Sequence, residues 1–312
     1  MNLFDFSSRF PDEASCREVF KAHREQEGIH CRRCGCSRHY WKRKRQQWEC
    51  KNCAFRTTLR SGTVMQGSKL SFLHWFKAMA LMSSTKKSFS AKEVQRQLGH
   101  CRYQPVWEMM HKIRAVMGLR DDTYQLNGRV EADEAFFVTV DENRPDTLKR
   151  GRGSERQTTV MVLAESKVKE SRKPKKPGRP TTALGHIKMK MMRSTTADTI
   201  SEKGKKTLDT GTDLVTDGFP SYNELGKDLR SHTRLKVPPK EAGKLLPWVH
   251  IEIANAKRLL LDIHHRIDSD FLENYLNEFC YKANRKYFDD IFDRLIIACL
   301  SFRWNWLGET YG

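Results

Sequence analysis

The sequence predicts an α/β fold, and three features carry that expectation. The first is the stretch Arg129 to Val140, Arg-Val-Glu-Ala-Asp-Glu-Ala-Phe-Phe-Val-Thr-Val. Val130, Ala132, Phe136, Val138 and Val140 fall on one face at period two, while Glu131 and Asp133 share the other. The second is a train of short apolar segments: 158–164, rich in Val and Thr and expected as the antiparallel neighbour, then 187–192, then Asp213-Leu-Val-Thr-Asp217. The third is helical periodicity, at 196–206 and through the last third, where Phe271, Leu272, Tyr275, Leu276, Phe279 and Cys280 form a core stripe continued in 295–302.

Carboxylates inside the first strand need a partner. A single acid there reads as a strand end reaching water or a Lys or Arg. Three acids in four positions of an apolar run point to a cation, with a divalent metal as the expected occupant, because an unpaired buried carboxylate is costly. Asp217 closes its own apolar segment and precedes a glycine, which sets it at a strand end where a cleft opens. Alone it is an ordinary strand-to-turn aspartate. Together with the acids at 131 to 134 it brings carboxylates from two strands, the donor set of a hard divalent ion.

At 312 residues the chain is long enough for two or three units. Fifty-seven Lys and Arg against 38 Asp and Glu leave a net charge of +19, a long-range attraction for polyanions, so nucleic acid is the first partner to consider. An anionic membrane surface is the competitor. No apolar run approaches bilayer length and no signal peptide is visible, so no membrane partner and a cytoplasmic location are expected. Nine cysteines, four of them in metal-ligand spacing, fit a reducing compartment.

Residues 1–28 read as a helical lead-in with a capping-type start at Ser15. A zinc ribbon is expected over 29–60. Cys31-Arg-Arg-Cys34 and Cys50-Lys-Asn-Cys53 have doubled two-residue spacing, and four thiolates close a tetrahedral structural Zn²⁺ site. Cys36 is left out because Cys34 completes the spacing. Between the knuckles, residues 38–48 interleave basic and aromatic side chains on a hairpin. That composition suits phosphate contact and base stacking, and equally a solvated hairpin with Trp48 over the metal.

A helical domain is expected over 68–120. It holds an all-round apolar helix at 70–83, a capping box Ser90-Ala-Lys-Glu93 opening a helix to Gly99, and a third helix from Pro105 to Gly118 with Glu108, His111, Lys112 and Arg114 outward. Two short helices around a turn suggest helix-turn-helix DNA recognition, and any three-helix core would show the same periodicity. Lys149 to Ser154 is a basic glycine-containing turn. Lys167 to Pro180, with seven Lys or Arg and three Pro, is the centre of an exposed basic loop expected over 167–186; its Pro-Gly-Arg-Pro end has the composition of minor-groove hooks. His250 opens the next helix with Asn255 and Lys257 following, and Tyr281 to Lys286 is expected to be a basic exposed end.

This order resembles bacterial insertion-sequence transposases of the RNase H-like DDE superfamily, in the ISXO2-like group that carries an amino-terminal zinc ribbon. The resemblance covers nearly the whole chain. It rests on the paired knuckles, Glu131-Ala-Asp-Glu134, Thr216-Asp217, Pro247-Trp-Val-His250 with Asn255-Ala-Lys257, and Tyr275 to Arg285. It implies a mixed five-stranded sheet with helices on both faces, forming a catalytic domain over 126–312. It also implies metal-dependent DNA strand cleavage and joining at the ends of a mobile element, double-stranded terminal repeats and target DNA as partners, a homo-oligomer assembled on DNA, and a bacterial, nucleoid-associated location. Asp133 and Asp217 match the first two catalytic carboxylates, with Mg²⁺ or Mn²⁺ as the ion.

The third position departs from the usual Glu. Ligand chemistry favours Asn255, which offers an oxygen to a hard cation, whereas the seven-residue interval and shared helix face with Lys257 favour His250; Asn255 is expected as the Mg²⁺ ligand, His250 as a nearby substrate contact and Lys257 as a DNA-phosphate contact. Glu131 and Glu134 are expected to matter less. A zinc-ribbon DNA-binding protein without catalysis, and a metal nuclease that cuts without joining, share many of these features.

Overall fold

In the computed structural model, which describes residues 2–140, 157–168, 180–235, 245–264 and 266–302, the chain divides into two compact units. One comprises Met1–Arg120 with Tyr287–Gly312, the other Asp121–Lys286. This differs from a catalytic domain running to the end of the chain, because residues 287–312 group with the amino-terminal unit. The turn at 149–154 and the centre of the basic loop lie outside the described residues, and the expected bounds 167–186 are too wide, because Lys167 ends one strand and Ala183 begins its antiparallel partner.

The first unit opens with α1 (Leu3–Arg9) and α2 (Glu13–Glu27). Asp12, rather than Ser15, caps α2, and Ser15 sits at the third helical position as its reciprocal partner. An antiparallel sheet follows, β1 (His39–Lys42), β2 (Gln47–Cys50) and β3 (Arg56–Thr58), with the expected hairpin between the knuckles. Trp48 is buried; its indole N–H donates to Glu25 Oε1 at 3.1 Å, so it fastens the hairpin to α2.

Three helices come next: α3 (Phe72–Ser84), α4 (Ala91–Leu98) and α5 (Tyr103–Asp121). Ser90 accepts from the Glu93 N–H, but the Glu93 carboxylate turns to Arg96 and Gln97, so half of the expected box forms. Arg114 and His111, expected outward on α5, are 1% and 0% exposed. Trp107 packs against His111 at 4.3 Å, and Arg114 reaches the Phe89 carbonyl before α4, so this helix is enclosed beyond its apolar stripe. The last described helix, α10 (Ile291–Ser301), packs on α3, where Phe292 joins Phe10 and Phe76.

The second unit is built on a five-stranded mixed sheet with the order β6-β5-β4-β7-β8. Its strands are β4 (Arg129–Val138), β5 (Gln157–Lys167), β6 (Ala183–Met192), β7 (Asp213–Thr216) and β8 (Ser231–Arg234). β4, β5 and β6 pair antiparallel, whereas β7 pairs parallel with both β4 and β8. Helices α6 (Ala197–Thr207) and α7 (Asn223–Lys227) cover one face, and α8 (Pro247–Ile263) and α9 (Ser269–Asn284) cover the other.

Both faces of β4 are therefore buried, as expected of a central strand. Val130 and Ala132 enter the core beneath α6 and α7; Ala135 and Phe137, on the face of Glu131 and Asp133, enter the core beneath α8 and α9. Val138, expected inside, is 68% exposed because β4 ends there.

Tyr281 to Lys286 contains a structural joint where a basic exposed end was expected. Lys282 and Arg285 are buried, paired with Glu278 at 2.9 Å and Asp121 at 2.6 Å. Asn284 accepts from the Ile187 N–H and donates to the Ile187 carbonyl, tying α9 to the strand β6.

Candidate active site

Two adjacent parallel strands place the first two carboxylates. Ala132 on β4 is in register with Thr216 on β7, and Asp133 and Asp217, the next residue on each, continue that register where β7 ends. The turn after β7 is tight. Asp217 Oδ1 accepts from the Phe219 N–H at 3.0 Å, and Gly218 between them has φ +91°, a conformation that strains any residue with a Cβ. Asp133 Oδ1 accepts from the Glu134 N–H at 2.8 Å, leaving Oδ2 facing His250 Nε2 at 3.7 Å.

Burial holds the Asp133 carboxyl above its ordinary range, and the charge of Asp217 pushes it further the same way; the Glu134 N–H and His250 oppose this. Period two turns Glu134 to the other face of the sheet. There burial, with added repulsion from Asp133 and Asp217, raises its carboxyl to about 7. Fully buried Tyr222 lies beside it, although neither its hydroxyl nor Glu134 Oε1 reaches hydrogen-bond geometry with any described partner. Glu131, on the face of Asp133, is buried and accepts from the first backbone N–H groups of α8.

Of the residues named from sequence on α8, His250 comes to Asp133. Asn255 does not: it lies roughly 140° around the helix from His250, and its side-chain amide donates to Glu252 at 3.4 Å. Among the described residues it meets neither Asp133 nor Asp217. Lys257, two turns along from His250, places Nζ 5.7 Å from the centre of the Phe137 ring on β4. Tyr222 and the contact of Glu131 with α8 were not visible in the sequence. The single signal was Pro247 opening a helix behind Leu246, which has no side-chain oxygen to cap it.

The four cysteines converge as their spacing predicts. Cys31, Cys34, Cys50 and Cys53 place all four sulfurs within 4.8 Å of one another, and Cys31–Cys53 and Cys34–Cys50 are 3.5 and 3.6 Å apart. A tetrahedral Zn²⁺ with Zn–S bonds of about 2.3 Å needs sulfur edges of about 3.8 Å, so the cluster fits that ion. The Cys36 backbone N–H lowers the Cys34 thiol to about 6, whereas burial and the neighbouring cysteines push Cys53 up to about 12, as expected of thiols crowded together with no positive charge between them. Cys36 itself turns away, its sulfur engaging the Arg38 backbone.

Among the described residues this is the one group of three or more Cys, His, Asp or Glu gathered tightly enough for a single ion. The acid site offers two carboxylates and an imidazole at longer range. Its donors still suit a hard divalent cation, because a positive charge between Asp133 and Asp217 would offset the burial that chiefly raises Asp133 and the lesser repulsion from Asp217.

One unit thus carries a ribbon with four clustered cysteines, and the other a mixed five-stranded sheet with acids on adjacent central strands. The ISXO2-like transposase domain model matches residues 125–284, just over half the chain, and the transposase zinc-ribbon domain model matches residues 11–55. The chain belongs to the ISXO2-like transposase family, whose members are DNA-cleaving and DNA-transferring enzymes. A chain in the crystal structure of a pre-cleavage Mos1 transpososome is similar at 12% identity over 71% of this chain and 76% of that chain, with a TM-score of 0.24. A likeness at that score fixes no residue correspondence. Comparison with curated proteins gives no match.

Proposed function

We propose that this transposase binds double-stranded DNA at the ends of its mobile element and cleaves and joins strands there with a divalent metal, using Asp133, Asp217 and His250. The observation that carries this reading is the meeting of Asp133 with His250 at 3.7 Å, beside the strand end that presents Asp217. Asp133 and Asp217 would hold Mg²⁺ or Mn²⁺, which supplies neutralisation of charge on the phosphate and activation of an attacking oxygen. His250 faces the same site and contacts the scissile phosphate or the attacking water. Lys257, on the same side of α8, takes a neighbouring DNA phosphate. Asn255, committed to Glu252, is the weaker candidate for the third position.

Binding is the task of the basic surface. The zinc ribbon at 29–60, the helices of 68–120 and the basic segment joining β5 to β6 supply phosphate affinity, consistent with a net charge of +19. Assembly of more than one copy on DNA belongs to the same reading, since two element ends must be processed together.

Asp133→Asn and Asp217→Asn should each reduce cleavage of element-end DNA to background while leaving DNA affinity within about twofold, because the acids hold metal and the basic surface binds. Gel assays of cleavage and binding under Mg²⁺ test this. Cleavage retained by either variant would remove the acids from the mechanism.

A further inference from the structure

A helix leaves its first backbone N–H groups without intrahelical partners, and α8 has no local means of satisfying them. Leu246 at its cap position bears no acceptor, and Pro247 has no N–H to offer. The acceptor comes instead from β4, 117 residues earlier. Glu131 Oε2 takes the Trp248 N–H at 2.8 Å and the Val249 N–H at 3.2 Å, and the residue is 2% exposed. A carboxylate also suits the positive end of the helix dipole. A second tether holds the same turn, the Trp248 indole N–H donating to Thr182 Oγ1 at 2.8 Å.

The residue after this clamped pair is His250, and two positions along β4 from Glu131, on the same face, is Asp133. One strand thus carries both the acid and the clamp that sets the helix residue facing it. We infer that Glu131 is a positioning residue, fixing the first turn of α8 on β4 and thereby holding His250 against Asp133. The inference rests on the proposed active site.

A carboxylate gripping a distant helix start can also be purely architectural. Glu13 accepts from the Phe72 and Leu73 N–H groups at the start of α3, within the other unit. The test must therefore separate position from stability and from charge.

In Glu131→Gln the amide oxygen still accepts both N–H groups; in Glu131→Ala nothing does. Cleavage turnover of element-end DNA should stay within about threefold of wild type in the glutamine variant and fall about 10- to 100-fold in the alanine variant at equal DNA affinity. Hydrogen exchange at Trp248 and Val249 should accelerate in the alanine variant alone. Wild-type turnover in Glu131→Ala would overturn the inference. So would a glutamine variant as inactive as alanine with both amides still protected, because the charge itself would then be required. If Glu131→Ala does not fold, Glu131→Asp, which keeps the charge but is too short to span, should lose turnover where glutamine keeps it; the reverse order overturns the inference. Asp133→Asn in the same assay separates the two readings: activity in that variant strikes the active site itself, whereas its inactivity beside a fully active Glu131→Ala strikes the positioning role alone.

Discussion

On β4, face decides what each carboxylate does. Asp133 turns toward α8 and meets His250, while Glu134, one residue on, is buried beside Tyr222 on the opposite face. The acids were legible in the sequence because carboxylates stand out in an apolar strand. The third position was legible only as a choice, ligand chemistry favouring Asn255 and the shared helix face with Lys257 favouring His250, and in the fold it is His250 that comes to Asp133. His250→Ala is accordingly expected to lower strand cleavage at least tenfold or raise its Mg²⁺ requirement, and Asn255→Ala to do neither, in a metal titration of cleavage rate. The opposite pattern would return the role to Asn255.

Glu134 also gives a pH effect of definite sign. Its carboxyl titrates near 7 in the fold, against an ordinary 4.5. Between those values the folded state keeps a proton that the unfolded chain has released, so its contribution is most favourable below 4.5 and is lost as pH rises through 7. The metal-free sheet domain should lose up to about 3 kcal/mol on this account. Denaturant unfolding at pH 5 and pH 7.5, followed by exchange of the β4 and β5 amides, should show that fall in the wild type and a smaller one in Glu134→Gln. A rise in stability over this window would contradict the assignment.

The zinc ribbon was read from spacing alone because thiolate geometry is local: two short turns suffice to bring four sulfurs together. Cys31→Ser combined with Cys50→Ser should abolish the one tightly held Zn²⁺ per chain and unfold the ribbon, as metal analysis and proteolysis of residues 28–60 would show. Unchanged zinc content would refute the ligand set. Elements whose surroundings come from distant sequence were less legible. His111 and Arg114 look like outward residues on a helical wheel, but Trp107 and the segment before α4 enclose them. Lys282 and Arg285 look like a basic tail end, but buried acids at 278 and 121 claim them. The clamp of Glu131 on α8 escaped for the same reason, since no local pattern announces a partner 117 residues away.

Across the whole molecule, apolar segments between turns predict four of the five strands, because strands buried on both faces leave such runs; β8, polar and largely exposed at the sheet edge, leaves none, and a fifth strand is expected from the resemblance alone. The boundary after Lys286 was not predicted, since the last helix carries an ordinary core stripe and nothing in its periodicity says which unit it will join. Family membership makes the chain a transposase, and the charge of +19 supplies the attraction for DNA that such an enzyme needs. The central claim is that one metal-dependent site both cuts and joins. It is tested most directly by incubating the full-length protein with labelled element-end DNA and a supercoiled target. The expected result is joined product in the presence of Mg²⁺ or Mn²⁺, none with a chelator, and none with Asp133→Asn. Cleaved ends that never become joined to target, or joining that survives the chelator, would contradict it.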